Sequence, residues 1–152
     1  MKIGQDTAWD PTATPTFWIN HASRLLLRRF DERLRTLRFS MAYLRVATVL
    51  EEQGPLQQAA LLPHVVIEQA TLAALLTRME RDRFLVRRPD PEDARARLVS
   101  LTARGRSTLH KVQRILPTLA DEALHGVSKR DRAKLMQTLK LVVCNLSEEA
   151  PD

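Results

Sequence analysis

The sequence predicts a mainly α-helical fold that carries one small β-hairpin. Three observations lead there. The chain of 152 residues is rich in Leu, Ala and Arg, with only 5% aromatics and four glycines, a composition that suits helices. Apolar residues recur with a helical period along most of its length. That period stops across residues 84–101, where two short β-compatible runs flank a polar, proline-containing loop. The length fits one domain, or one domain whose terminal helices need a partner.

Residues 1–15 hold Gly4, Pro11 and Pro15 among Thr and Asp without an apolar period, so they read as a loose arm, with order beginning near Thr16. Ala22, Leu26, Phe30, Leu34 and Leu37 then mark an amphipathic helix over 17–37. A second helix is expected over 41–52, ended by Gly54 and Pro55. Residues 57–62 read as a short helix that Pro63 must end, since proline lacks the donor a helix interior requires. Leu72, Leu75, Leu76 and Met79 share one face of the next helix, 68–81. Short helix, turn and longer helix make a helix-turn-helix.

The runs 84–88 and 97–101, with Pro89 to Ala96 between them, form the hairpin, placed where a wing would follow the longer helix. A helix over 103–124 follows, with Leu109, Val112, Leu116 and Leu119 in register and Pro117 expected to kink it. Ser128 and Asp131 resemble a capping box opening a last helix, whose stripe is Leu135, Leu139, Val142 and Leu146. An amphipathic helix at each end of the chain must bury its stripe, and packing the termini together across a two-fold axis satisfies both. The expected division is an arm at 1–15, a helical dimerisation region at 16–38 and 103–148, and a winged helix-turn-helix lobe at 39–102.

Formal net charge is +6, and its position says more than its size. Residues 78–110 carry nine Lys/Arg against five Asp/Glu, an excess of four, whereas the segments on either side carry an excess of one each. All nine of those cations are arginines, the side chain that suits bidentate phosphate and guanine contacts. The alternative is a solvated, salt-bridged surface. Cys144 is the single cysteine, so no intrachain disulfide framework is available; a small buried hydrophobe is the expected role, with redox sensing the lesser alternative. No stretch approaches the roughly 18 apolar residues of a membrane span, and no signal-peptide pattern is seen, so a soluble cytoplasmic protein is expected. His21, His64, His110 and His125 lie far apart; with no metal-ligand spacing, phosphate-cradling loop or nucleophile motif, neither metal, cofactor nor catalysis is expected.

Reading duplex DNA requires a helix that fits the major groove, flanking positive charge and a device that fixes register, and the middle third offers all three. Gln69, Thr71 and Arg78 are the polar side chains of the longer helix aimed at bases, through adenine, thymine methyl or phosphate contacts. Arg95 and Arg97 on the wing suit a minor groove or its phosphates, with Asp93 holding Arg95 as an ion pair. Arg87 and Arg88 either join them or only shield the strand edge.

The run from Arg87 to Thr102, with Asp93-x-Arg95, Leu101-Thr102 and Gly105, resembles the wing of the MarR (multiple antibiotic resistance regulator) family. Ile67-Glu68-Gln69, Thr71-Leu72 and Met79-Glu80 are similar to the recognition helix of its SlyA branch. The resemblance extends over 16–148 and implies a six-helix winged helix-turn-helix homodimer, a transcription repressor on a near-palindromic operator, relieved by a small aromatic carboxylate. Relatives hold such effectors between dimer region and DNA lobe, which points to His21 and Arg24, Tyr43 and, more loosely, Trp18 and Arg28. Those positions serve equally as plain surface or interface. Ala74 stands where many relatives place a base-contacting Arg, and Arg83 replaces a Gly at the helix end. The alternative is a degenerate member that dimerises as a protein-interaction module and touches DNA weakly.

Overall fold

The computed structural model describes residues 10–65, 67–93 and 95–147; residues 1–9 of the expected arm lie outside them. Two compact units divide the chain, Met1–Leu116 and Pro117–Asp152.

Order in the first unit begins earlier than Thr16. The Asp10 carboxylate accepts the Thr12 N–H at 2.9 Å and caps a 3-10 turn, Pro11–Ala13. Helix α1 spans Pro15–Leu34, with Pro15 in the first turn where a missing donor costs nothing. A 3-10 turn, Arg35–Leu37, closes on Arg38 in the left-handed region. Helix α2 is Met41–Gln53, capped by the Ser40 hydroxyl. Strand β1, Leu56–Gln57, leads to α3, Gln58–Leu61, and a 3-10 turn, Leu62–His64. Pro63 therefore does not end the short helix by interruption: it sits in the first positions of the turn that follows, where no donor is required. Helix α4 is Gln69–Arg81.

The hairpin pairs β2, Leu85–Pro89, with β3, Arg97–Leu101, in the register Leu85 to Leu101 and Pro89 to Arg97. It is not alone. β1 pairs antiparallel with β3, Leu56 opposite Val99, giving a three-stranded sheet in the order β1-β3-β2. Two residues are too few to show an alternation, so this strand leaves no periodic signal.

The core of the unit joins Leu72, Leu75, Leu76 and Met79 of α4 to Val46, Ala47 and Leu50 of α2, Leu85, Val99 and Leu101 of the sheet, and Leu109 and Val112. Phe39, Tyr43 and Phe84 meet edge to face at 5.6–5.9 Å between centroids, an arrangement that adds about 0.5–1.5 kcal/mol per pair beyond burial. The Thr102 hydroxyl accepts the Gly105 N–H at 2.9 Å and donates to the Arg83 carbonyl at 2.8 Å. A Cβ on Gly105 would lie 2.0 Å from the Phe84 carbonyl oxygen. The Leu-Thr-x-x-Gly pattern thus fastens the start of the next helix, α5 (Ala103–Ala123), onto the turn that follows α4.

Helix α5, Ala103–Ala123, continues through Pro117, where the two units divide. In the second unit Ser128 caps α6, Lys129–Leu146: its Oγ accepts the Asp131 N–H at 3.1 Å and donates to the Asp131 carboxylate at 2.7 Å. No residue of α6 is buried in the single chain, and Leu135, Leu139 and Leu146 of its stripe are exposed. Cys144 is exposed as well, contrary to the buried role expected of it, because it lies beside the stripe on a helix that buries nothing.

Candidate nucleic-acid interface

Leu72, Leu75, Leu76 and Met79 fix which way α4 faces, because all four are buried. At about 100° per residue, Ala70, Ala74, Thr77 and Arg81 lie within about 30° of the direction opposite that buried set, and all four are exposed. Gln69, Thr71 and Arg78, chosen from the sequence, are exposed too but fall on the flanks, about 70–110° from the outermost line. On that line Thr77 donates its hydroxyl to the Ala73 carbonyl at 3.0 Å, and the Arg81 Nε donates to Asp82 at 3.2 Å.

The wing is built by a short chain of bonds. Asp90 N–H donates to the Ala96 carbonyl at 3.1 Å and Ala96 N–H to the Asp93 carbonyl at 2.9 Å, closing the loop. The Asp90 carboxylate accepts the Glu92 N–H at 3.0 Å and the Gln57 amide at 2.8 Å, tying the loop to β1. Those bonds, the Glu92 N–H foremost, hold the Asp90 carboxyl below its ordinary range. Asp93 accepts the backbone N–H of Arg95 at 2.9 Å. The expected Asp93–Arg95 ion pair is replaced by this turn: the carboxylate reaches two residues along the backbone and leaves the guanidinium outward. Arg88, Arg95 and Arg97 are exposed and form no ion pair among the described residues.

Arg87 differs. The register puts it on the same side of β2 as buried Leu85, opposite Val99, so its side chain turns to α4. There it pairs with Glu80 and reaches Thr77 at 3.5 Å, with 20% of its side chain exposed. In the single chain it is a strut between α4 and the wing rather than a free side chain.

Tyr43, the ligand candidate on α2, is engaged within the chain. It is 5% exposed, and its hydroxyl donates to the Asp82 carboxylate at 2.8 Å, just past the end of α4. Burial, then this bond, pushes its pKa up from 10.0 to about 12. Burial pushes Asp82 up as well, but the bonds from Tyr43 and Arg81 outweigh it and hold the carboxyl low. The other ligand candidates are elsewhere. Trp18 and His21 gather with Phe17, His21 stacking on Phe17 at 5.9 Å, while Trp18 donates to the Thr12 carbonyl at 2.9 Å. Arg24 is exposed and Arg28 pairs with Glu32 at 2.9 Å. Asp31, ten residues beyond His21, accepts the Met41 N–H at 3.0 Å at the start of α2, so His21 stands about 15 Å away along the helix. The five do not converge within one chain.

Two surfaces were not anticipated. Asp31, Arg35, Arg38, Phe39, Ser40 and Tyr43 line an open depression of about 370 Å³ at the junction of α1 and α2. Arg106, Ser107, His110, Lys111 and Arg114 line another of about 370 Å³ along α5. There Arg106, at 2.8 Å, and His110, at 3.0 Å, both engage Glu51, whose carboxyl the arginine holds low. The i, i+4 spacing of Arg106, His110 and Arg114 was the available signal.

A family model described as MarR matches residues 39–96. An uncharacterized HTH-type transcriptional regulator of Bacillus cereus is 33% identical over 130 residues, 86% of this chain and 82% of that protein. The chain belongs to the MarR family. Solved structures show the MarR fold across most of it. CouR, a transcriptional repressor bound to a 23-mer DNA duplex, superposes with a TM-score of 0.78 at 18% identity, covering 92% of this chain and 99% of its own. Bordetella bronchiseptica BpsR, whose DNA binding is regulated by 6-hydroxynicotinic acid, gives 0.77 at 19% identity, with 89% and 96% covered. Among the described residues no single helix is long and apolar enough to cross a membrane.

Proposed function

We propose that this MarR-family regulator is a cytoplasmic homodimeric repressor that lays α4 in the major groove of each half-site of a near-palindromic operator and sets its wing on the adjacent backbone. The observation that carries this is the joint placement of an exposed α4 face and a wing whose Arg88, Arg95 and Arg97 side chains form no ion pair among the described residues, held in fixed relation by the Arg87–Glu80 strut. Phosphate contacts of that kind position a protein on duplex DNA. CouR, of the same fold, was solved on DNA. The run from Ile67 to Glu80 supports a SlyA-like branch, and the regulatory relatives support a role without catalysis.

Dimerisation is supported by the apolar surface each terminal helix leaves open: Trp18, Ile19, Leu25 and Leu27 on α1, Leu135, Met136, Leu139 and Leu146 on α6. Exposed apolar side chains of this kind mark an interaction site, and a second copy, through residues 16–38 and 103–148, would cover them symmetrically. Trp18, His21, Arg24 and Arg28 then belong beside that interface. For the effector, the depression at Arg35, Arg38 and Tyr43 suits a small aromatic anion, with two guanidinium groups and a phenol ring on its rim. BpsR responds to a ligand of that size.

The test is affinity for the gene's own upstream duplex, against random duplex, titrated with salt. Each neutralised phosphate adds about 0.9 to the log-log slope. A steep slope with an upstream excess is expected; absence of binding at low salt, in protein free of effector, overturns the reading in favour of a protein-interaction module.

A further inference from the structure

Resting on the DNA-binding reading above, we infer that Ala70 and Ala74 are the specificity-determining residues of α4, and that they select operators carrying thymines by contact with the thymine 5-methyl groups. The two alanines lie one turn apart, four residues and about 6 Å along the axis, close to the line directly opposite the buried Leu72, Leu75, Leu76 and Met79. Both are exposed. Whatever groove α4 enters, this is the edge that penetrates deepest.

The polar neighbours on the same edge lie beyond the two alanines. The Thr77 hydroxyl donates to Ala73 and lies against Arg87; Arg81, whose Nε donates to Asp82 and whose side chain stays 72% exposed, sits in the last turn, about 10 Å past Ala74 along the axis. What the first two turns of that edge offer to base edges is a pair of methyl groups. A methyl side chain has two consequences. It lets the helix axis approach the bases closely, and it offers no hydrogen bond, so the base-pair feature it can favour is the one apolar group in the major groove, the thymine methyl. Gln69, Thr71 and Arg78, on the flanks, are placed for the backbones or the outer base pairs.

The experiment uses the full-length protein and a duplex selected from a randomised pool. Each thymine of a half-site is replaced in turn by deoxyuridine, which deletes the 5-methyl and keeps every hydrogen-bonding group. One buried methyl predicts a loss of about 3- to 5-fold per replacement at two thymines per half-site, about two base pairs apart. In Ala74→Gly and in Ala70→Gly, the thymine-to-uracil ratio falls to about one at a single, different position, while the salt slope stays unchanged. If no replacement weakens binding of the unaltered protein, or if both ratios survive in the glycine variants, the inference is overturned while the regulator reading stands. If no duplex is bound at low salt, both fall. The measurement on unaltered protein decides the matter even where a glycine variant fails to fold.

Discussion

Replacing Tyr43 by Phe removes one hydroxyl from the contact that closes the end of α4. Tyr43 is 5% exposed and donates to Asp82 at 2.8 Å. A hydrogen bond to a charged acceptor contributes about 1.5–3 kcal/mol; with 26% of the Asp82 side chain exposed, water takes over part of it, and a loss of about 1–2 kcal/mol at neutral pH is expected. The same contact has a pH signature. Burial and then the bond to Asp82 raise Tyr43 to about 12 from 10.0. A folded-state value above the unfolded one means that the contribution is complete below pH 10 and is lost as pH rises through about 12; the full span is about 2–3 kcal/mol. Tyr43 is the only tyrosine in the chain, so near-ultraviolet phenolate absorbance reports it alone. The folded protein should titrate near 12 and the urea-unfolded chain near 10. Urea unfolding should show the stability gap between wild type and Tyr43→Phe constant from neutral pH to about 10 and narrowing above it. A folded midpoint near 10, or a gap of zero at neutral pH, refutes the reasoning.

Three further outcomes are expected. Arg95→Ala should weaken binding to all duplexes alike and lower the salt slope by about 1.8, about 0.9 for each of the dimer's two wings, with the dimer intact by light scattering; unchanged affinity would remove the wing from the interface. Gly105→Ala should destabilise by about 3 kcal/mol or more in chemical denaturation, because its Cβ meets backbone at Phe84, 2.0 Å away, and a backbone carbonyl cannot swing aside. Arg83, at φ 63°, bears a left-handed cost of about 1–2 kcal/mol, so Arg83→Gly should stabilise by about 0.5–1 kcal/mol after the added unfolded-state entropy; a lower urea midpoint would show that the Arg83 side chain contributes more than its backbone costs.

Much of the fold was legible because its elements announce themselves locally. The α4 stripe, the proline-rich wing loop and the Ser128 cap are each signalled within a few residues. The pairing of Leu56 with Val99 and the bond from Gln57 to Asp90 join segments more than thirty residues apart, and no periodicity in either segment points to the other. Cys144 was misread for a related reason: its position near an apolar stripe says that it is beside something, but the stripe itself is open in the single chain.

The direction in which α4 and the wing set their side chains was less legible than their location. Gln69, Thr71 and Arg78 were chosen as base readers for their chemistry, yet the buried set Leu72, Leu75, Leu76 and Met79, visible in the sequence, already defines an outward line through Ala70, Ala74 and Arg81. The same holds on the wing: alternation from Leu85 puts Arg87 toward the core and Arg88 away from it, so two adjacent arginines face opposite ways. Side-chain type proposes a role, but the face on which the backbone sets a side chain decides it. For Arg87 that face makes a strut, and for Arg95 the Asp93 turn frees the guanidinium that an ion pair would have engaged. The wing therefore depends on carboxylates that hold backbone, which leaves its arginines available to phosphate.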